Sequence, residues 1–243
     1  KGGVGKTTTT LSLGSYLAES GKFVLIVDMD PQGNASSGLG IEHRTLERGV
    51  YEAIAGIATM RSVIVPTAQE GLRLAPGTAA LAGANVELVN VDRREFRLAD
   101  ALLEARHDYD VILIDCPPSL GLLTVNALVA ADSVLIPVQA EFYALEGLGQ
   151  LMETIELIRG NLRPTLQILG AIITMYEGRL RLANDVLEEL HKHFPDRVFR
   201  SVIPRNVRLA EAPSHGKTIK QYDATSKGAR AYEKLAREVL AVL

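Results

Sequence analysis

Five short runs of almost unbroken apolar, β-branched character punctuate the chain: FVLIVD (23–28), VILID (111–115), SVLIPV (133–138), ILGAIIT (168–174) and VFRSVI (198–203). A strand with one solvated face alternates apolar and polar residues. Runs without that alternation belong to strands covered on both faces, as in a parallel sheet. Stretches of helical periodicity lie between them, at 7–20, 94–106, 119–131, 144–160, 180–194 and 226–242. Parallel strands need crossover connections, which helices supply. The pattern predicts an α/β fold with a doubly wound, mostly parallel sheet and helices on both faces. With 243 residues and no internal repeat or low-complexity linker, a single domain over 1–243 is expected.

The sequence opens KGGVGKTTTT, just ahead of the first helical stretch. Gly2, Gly3 and Gly5 can adopt backbone angles closed to other residues, so that successive N–H groups converge on phosphate oxygens. The helix behind them adds its positive N-terminal end. In the pattern G-x-x-x-x-G-K-[ST], Lys6 reaches the β- and γ-phosphates of a nucleotide and the Thr7 hydroxyl suits Mg²⁺. Such a loop normally follows a strand, and nothing precedes Lys1 here. A further central strand and the first glycine of the pattern are therefore expected upstream of this sequence.

Two apolar runs end in acids: FVLIVDMDPQG supplies Asp28 and Asp30, and VILIDCPPS supplies Asp115. Ligands of open α/β sheets bind beyond the carboxyl ends of the strands, so these carboxylates are expected to converge on the loop. Asp115, after four apolar residues, is placed as a Mg²⁺ ligand acting through water. Of Asp28 and Asp30, two residues apart, one is expected to face the phosphates while the other serves the metal shell or the structure. Asp30 heads a Pro-Gln-Gly-Asn turn expected to move with the γ-phosphate.

Other chemistries find little support. The single cysteine, Cys116, excludes a disulfide framework and a four-cysteine metal site within one chain. Nor does it have a histidine pattern to make it a nucleophile. His191 and His193 are two apart on a helical stretch and face different ways. No apolar run approaches the roughly 18–20 residues of a membrane helix. Between Arg197 and Arg237, ten Lys/Arg against three acids give +7, while the rest of the chain carries −10. This window is either unevenly charged surface or a face for a polyanion.

The segments KGGVGKTT, DMDPQGN, DCPPS, ITMYEGR and IPRNVRLAEAPSHGK together resemble the ParA/Soj family of chromosome- and plasmid-partitioning ATPases. These are P-loop NTPases of the deviant Walker A type, related to MinD. The resemblance runs from Lys1 to Leu243. It implies a Mg²⁺-dependent ATPase that forms a homodimer around ATP and binds double-stranded DNA without sequence preference. A ParB-type centromere-binding partner would stimulate hydrolysis and release. It further implies that Lys1 touches the partner subunit's ATP while Lys6 serves its own. Gly2, Gly3, Val4, Gly5, Lys6, Thr7 and Thr8 would cradle the phosphates. Thr7, and Asp115 through water, would hold Mg²⁺, and Asp30 would activate the attacking water. Met175 and Pro204 would stack on adenine, Asn206 would read its edge, and Arg179 and Arg208 would contact DNA. A cytoplasmic, nucleoid-associated protein without membrane binding follows by the same resemblance.

Two rivals remain open at this point. One is a membrane-surface positioning ATPase like MinD, using the amphipathic helix of 226–242. The other is a metabolic P-loop enzyme of the dethiobiotin synthetase type.

Overall fold

A computed structural model describes residues 2–141 and 144–243. Its six strands are β1 (Val24–Asp28), β2 (Val65–Pro66), β3 (Leu72–Ala75), β4 (Val111–Asp115), β5 (Ser133–Gln139) and β6 (Gln167–Thr174). They form a four-stranded sheet in the order β2-β3-β1-β4 and a two-stranded sheet β5-β6. All pairs are parallel except β2 with β3. The register aligns Asp28 with Asp115, which brings two carboxylates side by side at the carboxyl ends of neighbouring strands.

The five longest helices are α1 (Lys6–Glu19), α2 (Leu122–Ala130), α3 (Ala144–Asn161), α4 (Arg181–His193) and α5 (Lys227–Leu240). Every residue of β1 is buried. Its alternating side chains serve two cores, as a doubly covered sheet requires. Val24 and Ile26 pack with α1 and α5, whereas Leu25 and Val27 pack with Ile54, Met60 and Leu98 on the opposite face. The first of these cores also takes Ile172 from β6 and Ile203, so it joins the two sheets. A third core lies under α3 and α4, against β5 and β6.

The apolar side of α5 is buried: Ala229, Tyr232, Leu235, Ala236 and Val239 lie inside, while Val242 and Leu243, beyond the helix, are exposed. Tyr232 shares a buried hydroxyl–hydroxyl bond of 3.0 Å with Thr9 of α1. That face is occupied by the fold and is not presented to a membrane. Among the described residues, no helix is long and apolar enough to cross one.

Four of the five expected strands form within a residue of their anticipated bounds. The fifth, 198–203, does not form as a strand; it makes only isolated bridges, Ala171 with Val198 and Tyr176 with Pro204. The reason is a competing acceptor, because the N–H groups of Arg200 and Ser201 donate to the Glu238 carboxylate at 2.7 and 2.9 Å instead of to a ladder. The expected helix over 94–106 is also broken, into a 3₁₀ turn (Arg94–Phe96), a helix (Arg97–Leu102) and a further turn (Arg106–Asp108).

Candidate phosphate-binding site

The opening loop lies across the carboxyl ends of β4 and β6. Gly3 (φ 77°) and Gly5 (φ 90°) occupy the left-handed region that side chains disfavour. Among the described residues, and apart from its chain neighbours, nothing comes within 4 Å of the Cβ position of Gly3. Side chains from two strand ends fix it. Thr174 Oγ1 donates to the Val4 carbonyl at 2.8 Å, and Thr7 Oγ1 donates to Asp115 Oδ2 at 2.7 Å. Gly2 sits against Pro118, just past β4. Helix α1 then starts at Lys6 with no acidic residue in its first turn and no side-chain cap. Its first N–H groups and dipole end are thus left facing the loop, the arrangement an anion requires. Val4, Lys6, Thr7 and Thr8 all fall on this loop–helix junction, where they were expected. Lys1 lies outside the described residues.

The three aspartates divide by what donates to them. Asp28 Oδ2 accepts the Ser36 N–H and hydroxyl, both at 2.8 Å, and Oδ1 accepts the Asp30 N–H at 3.2 Å. It is fully buried and serves the backbone that follows β1. Burial pushes its carboxyl above the usual range, against the pull of the Ser36 and Asp30 donors. Asp30 Oδ1 accepts the Gln32 N–H at 3.0 Å and the Asp30 carbonyl accepts the Gly33 N–H at 2.9 Å. The turn anticipated as free is therefore closed on itself, with Asp30 only 6% exposed.

Asp115, 1% exposed, accepts from Thr7 and, at 3.4 Å, from Thr10 Oγ1 one turn along α1. Burial pushes its carboxyl up to about 7; the Thr7 donor and Lys6 oppose this, and Asp28 and Asp30 add to it. A buried carboxylate beside a threonine hydroxyl fits a hard divalent cation, whose charge would offset the desolvation. Among the described residues, no group of three or more His, Cys, Asp or Glu could hold a metal. A cation here would therefore complete its shell with water and phosphate oxygens, the habit of Mg²⁺. Desolvation first and Asp115 second push the Cys116 thiol up to about 12, away from the thiolate form that a nucleophile uses.

Beside the loop, two segments run together. The Tyr176 N–H donates to the Ile203 carbonyl at 2.9 Å and the Arg205 N–H to the Tyr176 carbonyl at 3.3 Å. Arg205 also pairs with Glu177 at 2.7 Å. Met175 sits between them with φ 52°, rare for a side chain of its size. Its sulfur accepts from Gln139 Nε2 at 3.3 Å. Pro204 is half-buried. Asn206 caps the short helix Val207–Glu211, its Oδ1 accepting the Arg208 N–H at 2.8 Å. Its amide nitrogen is outside that cap.

Arg179 is exposed and has no ion-pair partner among the described residues. Arg208 is also exposed, but it pairs with Glu211 at 2.8 Å and approaches Asp223 at 3.6 Å, so its charge is already shared. Thr10 escaped the sequence reading, as did the bond from Thr174 to Val4, although Thr174 itself lies in the ITMYEGR segment. Within the basic window of 197–237, the structure sets Lys227, Arg230, Lys234 and Arg237 exposed on one face of α5, with Arg237 paired to Glu233.

Residues 1–168 match the family model described as AAA domain. The chain is 55% identical over 241 residues to the sporulation initiation inhibitor protein Soj of Bacillus subtilis (strain 168), covering 99% of this chain and 95% of that protein. It is 52% identical over 240 residues to the chromosome partitioning protein ParA of Myxococcus xanthus (strain DK1622), covering 99% and 85%. Among solved structures, it resembles the cobyrinic acid a,c-diamide synthase of Mycobacterium smegmatis with bound ATP analog and magnesium. That match has a TM-score of 0.86, 39% identity, and coverage of 99% of this chain and 91% of the other. The cell division ATPase MinD of Pyrococcus furiosus is more distant, with a TM-score of 0.77, 28% identity, and coverage of 100% and 96%.

Proposed function

The chain belongs to the Soj/ParA family of chromosome-partitioning ATPases, and from that premise we propose how its residues divide the work. It binds ATP with Mg²⁺ and hydrolyses it to ADP and phosphate. The Gly2–Thr8 junction takes the phosphates, Lys6 places its charge at the β- and γ-oxygens, and Thr7 with Asp115 would hold the cation. When bound, Mg²⁺ neutralises charge on those oxygens. Asp30, at the carboxyl end of β1, orients the attacking water. Met175, Pro204 and Asn206 enclose adenine. Lys1 crosses to the ATP of a second subunit, which makes dimerisation and nucleotide state one event. The observation that carries this reading is the convergence of the loop, Thr7, Asp30 and Asp115 on one sheet edge, tied by the Thr7–Asp115 bond.

The ATP dimer then binds double-stranded DNA without reading its bases, in the cytoplasm on the nucleoid, until a ParB-type partner stimulates hydrolysis. Arg179, Arg208 and the exposed row on α5 are the proposed phosphate contacts. Each phosphate contact releases condensed counterions, so affinity should fall steeply with salt. The test is fluorescence anisotropy on a random-sequence duplex with ATP, across a salt series. Arg179→Ala and Arg208→Ala should weaken binding to all sequences alike and flatten the log–log slope by about one to two units per dimer. Unchanged affinity in both variants removes these arginines from the DNA face.

A further inference from the structure

Between Phe199 and Ile203 the chain takes up two extra residues. The Phe199 N–H donates to the Ala171 carbonyl at 2.9 Å and the Ile203 N–H to the Ile173 carbonyl at 3.0 Å. Four positions on one side thus span two on the other. The surplus bulges away from β6, and its N–H groups need an acceptor that β6 does not offer. Glu238 of α5 supplies one. Its Oε2 accepts the Arg200 N–H at 2.7 Å, and its Oε1 accepts the Ser201 N–H at 2.9 Å as well as the Ser201 hydroxyl. Ser201 is buried, at 8% exposure, so its N–H and hydroxyl would otherwise lose water without a substitute.

The bulge fixes the register of everything after it. Immediately downstream, Ile203 and Arg205 bond to Tyr176, and Pro204 bridges Tyr176. If the bulge straightened, the 204–206 segment would slide by two residues, about 6.6 Å along β6. We propose that Glu238 is a positioning residue for the nucleotide base, a carboxylate that sets the register of the segment carrying Pro204 and Asn206 without touching the nucleotide. This rests on the reading that those residues enclose adenine. It also ties base recognition to the helix whose outer face carries Lys227, Arg230, Lys234 and Arg237.

The test is displacement of a ribose-labelled fluorescent ATP by unlabelled ATP, GTP and inorganic tripolyphosphate, with Mg²⁺. Wild type, Glu238→Ala, Glu238→Gln and Asn206→Ala are compared. Glu238→Ala should weaken ATP about tenfold and bring its advantage over GTP close to one, with tripolyphosphate unchanged. Glu238→Gln keeps an acceptor at one position and should recover most of the discrimination. A Glu238→Ala protein with wild-type discrimination overturns the proposal. So does an equal loss for all three displacers, which would mark a general structural role. Lost discrimination in Asn206→Ala alone would leave the adenine reading standing and remove only the role of Glu238. Unaltered discrimination in Asn206→Ala would remove the adenine reading itself.

Discussion

Asp28 and Asp115 are partners in register, both buried at the ends of neighbouring strands, yet their surroundings give them different work. Asp28 accepts two backbone N–H groups and one hydroxyl and so is spent on structure. The Asp115 carboxylate accepts threonine hydroxyls of α1, from Thr7 and Thr10, and no backbone N–H among the bonds described, which leaves it free to face a cation. This has a measurable consequence. Folded Asp115 holds its proton up to about pH 7, against an ordinary value of 3.8. Between those values the folded chain binds more protons than the unfolded one, so stability falls as pH rises through that window. Asp115→Asn removes the titration. The melting temperature of the nucleotide- and magnesium-free wild type should therefore drop progressively below that of Asp115→Asn from about pH 4 to about pH 7. A difference independent of pH would show that burial does not perturb this carboxyl.

At the scale of elements, α5 locks against α1, with Leu235 fully buried and Tyr232 bonded to Thr9. Leu235→Ala leaves a cavity in the core that joins the two sheets and should cost about 2–5 kcal/mol. Denaturant unfolding measures it; a loss below about 1 kcal/mol would mean α5 is not part of the cooperative core. The elements that the sequence announced are those whose pattern is local. β1 and β4 are continuous apolar runs ending in aspartate, and α5 repeats its apolar side every three to four residues. β3 went unseen because LRLA is only four residues long and Arg73 breaks its apolar run. The 198–203 run looked like a strand because its acceptor, Glu238, lies on another element 37 residues beyond Ser201. For the same reason the loop, Asp30 and Asp115 were legible as motifs, whereas the Thr174 bond to Val4 spans 170 residues and has no local signature. The confinement of Asp30 by Gln32 and the sharing of Arg208 with Glu211 are side-chain choices that spacing alone does not decide.

For the whole molecule, the proposed function makes hydrolysis the clock for residence on DNA. The phosphate loop is pinned by Thr174 and Asp115, so under the proposed function the nucleotide would control DNA through assembly of two chains. Two linked subunits double the phosphate contacts on one duplex, and loss of the dimer removes that gain at once. Asp30→Ala should uncouple the cycle, because orienting water matters for chemistry far more than for ATP binding. The most direct measurement is the dissociation rate from an immobilised random-sequence duplex. Wild type and Asp30→Ala are loaded with ATP and Mg²⁺, then washed in the same buffer without protein, with ADP loading as the control. Wild type should leave at its hydrolysis rate, Asp30→Ala should stay bound many times longer, and neither should load with ADP. Equal dissociation of the two proteins, or equal loading with ADP and ATP, would contradict the proposed function.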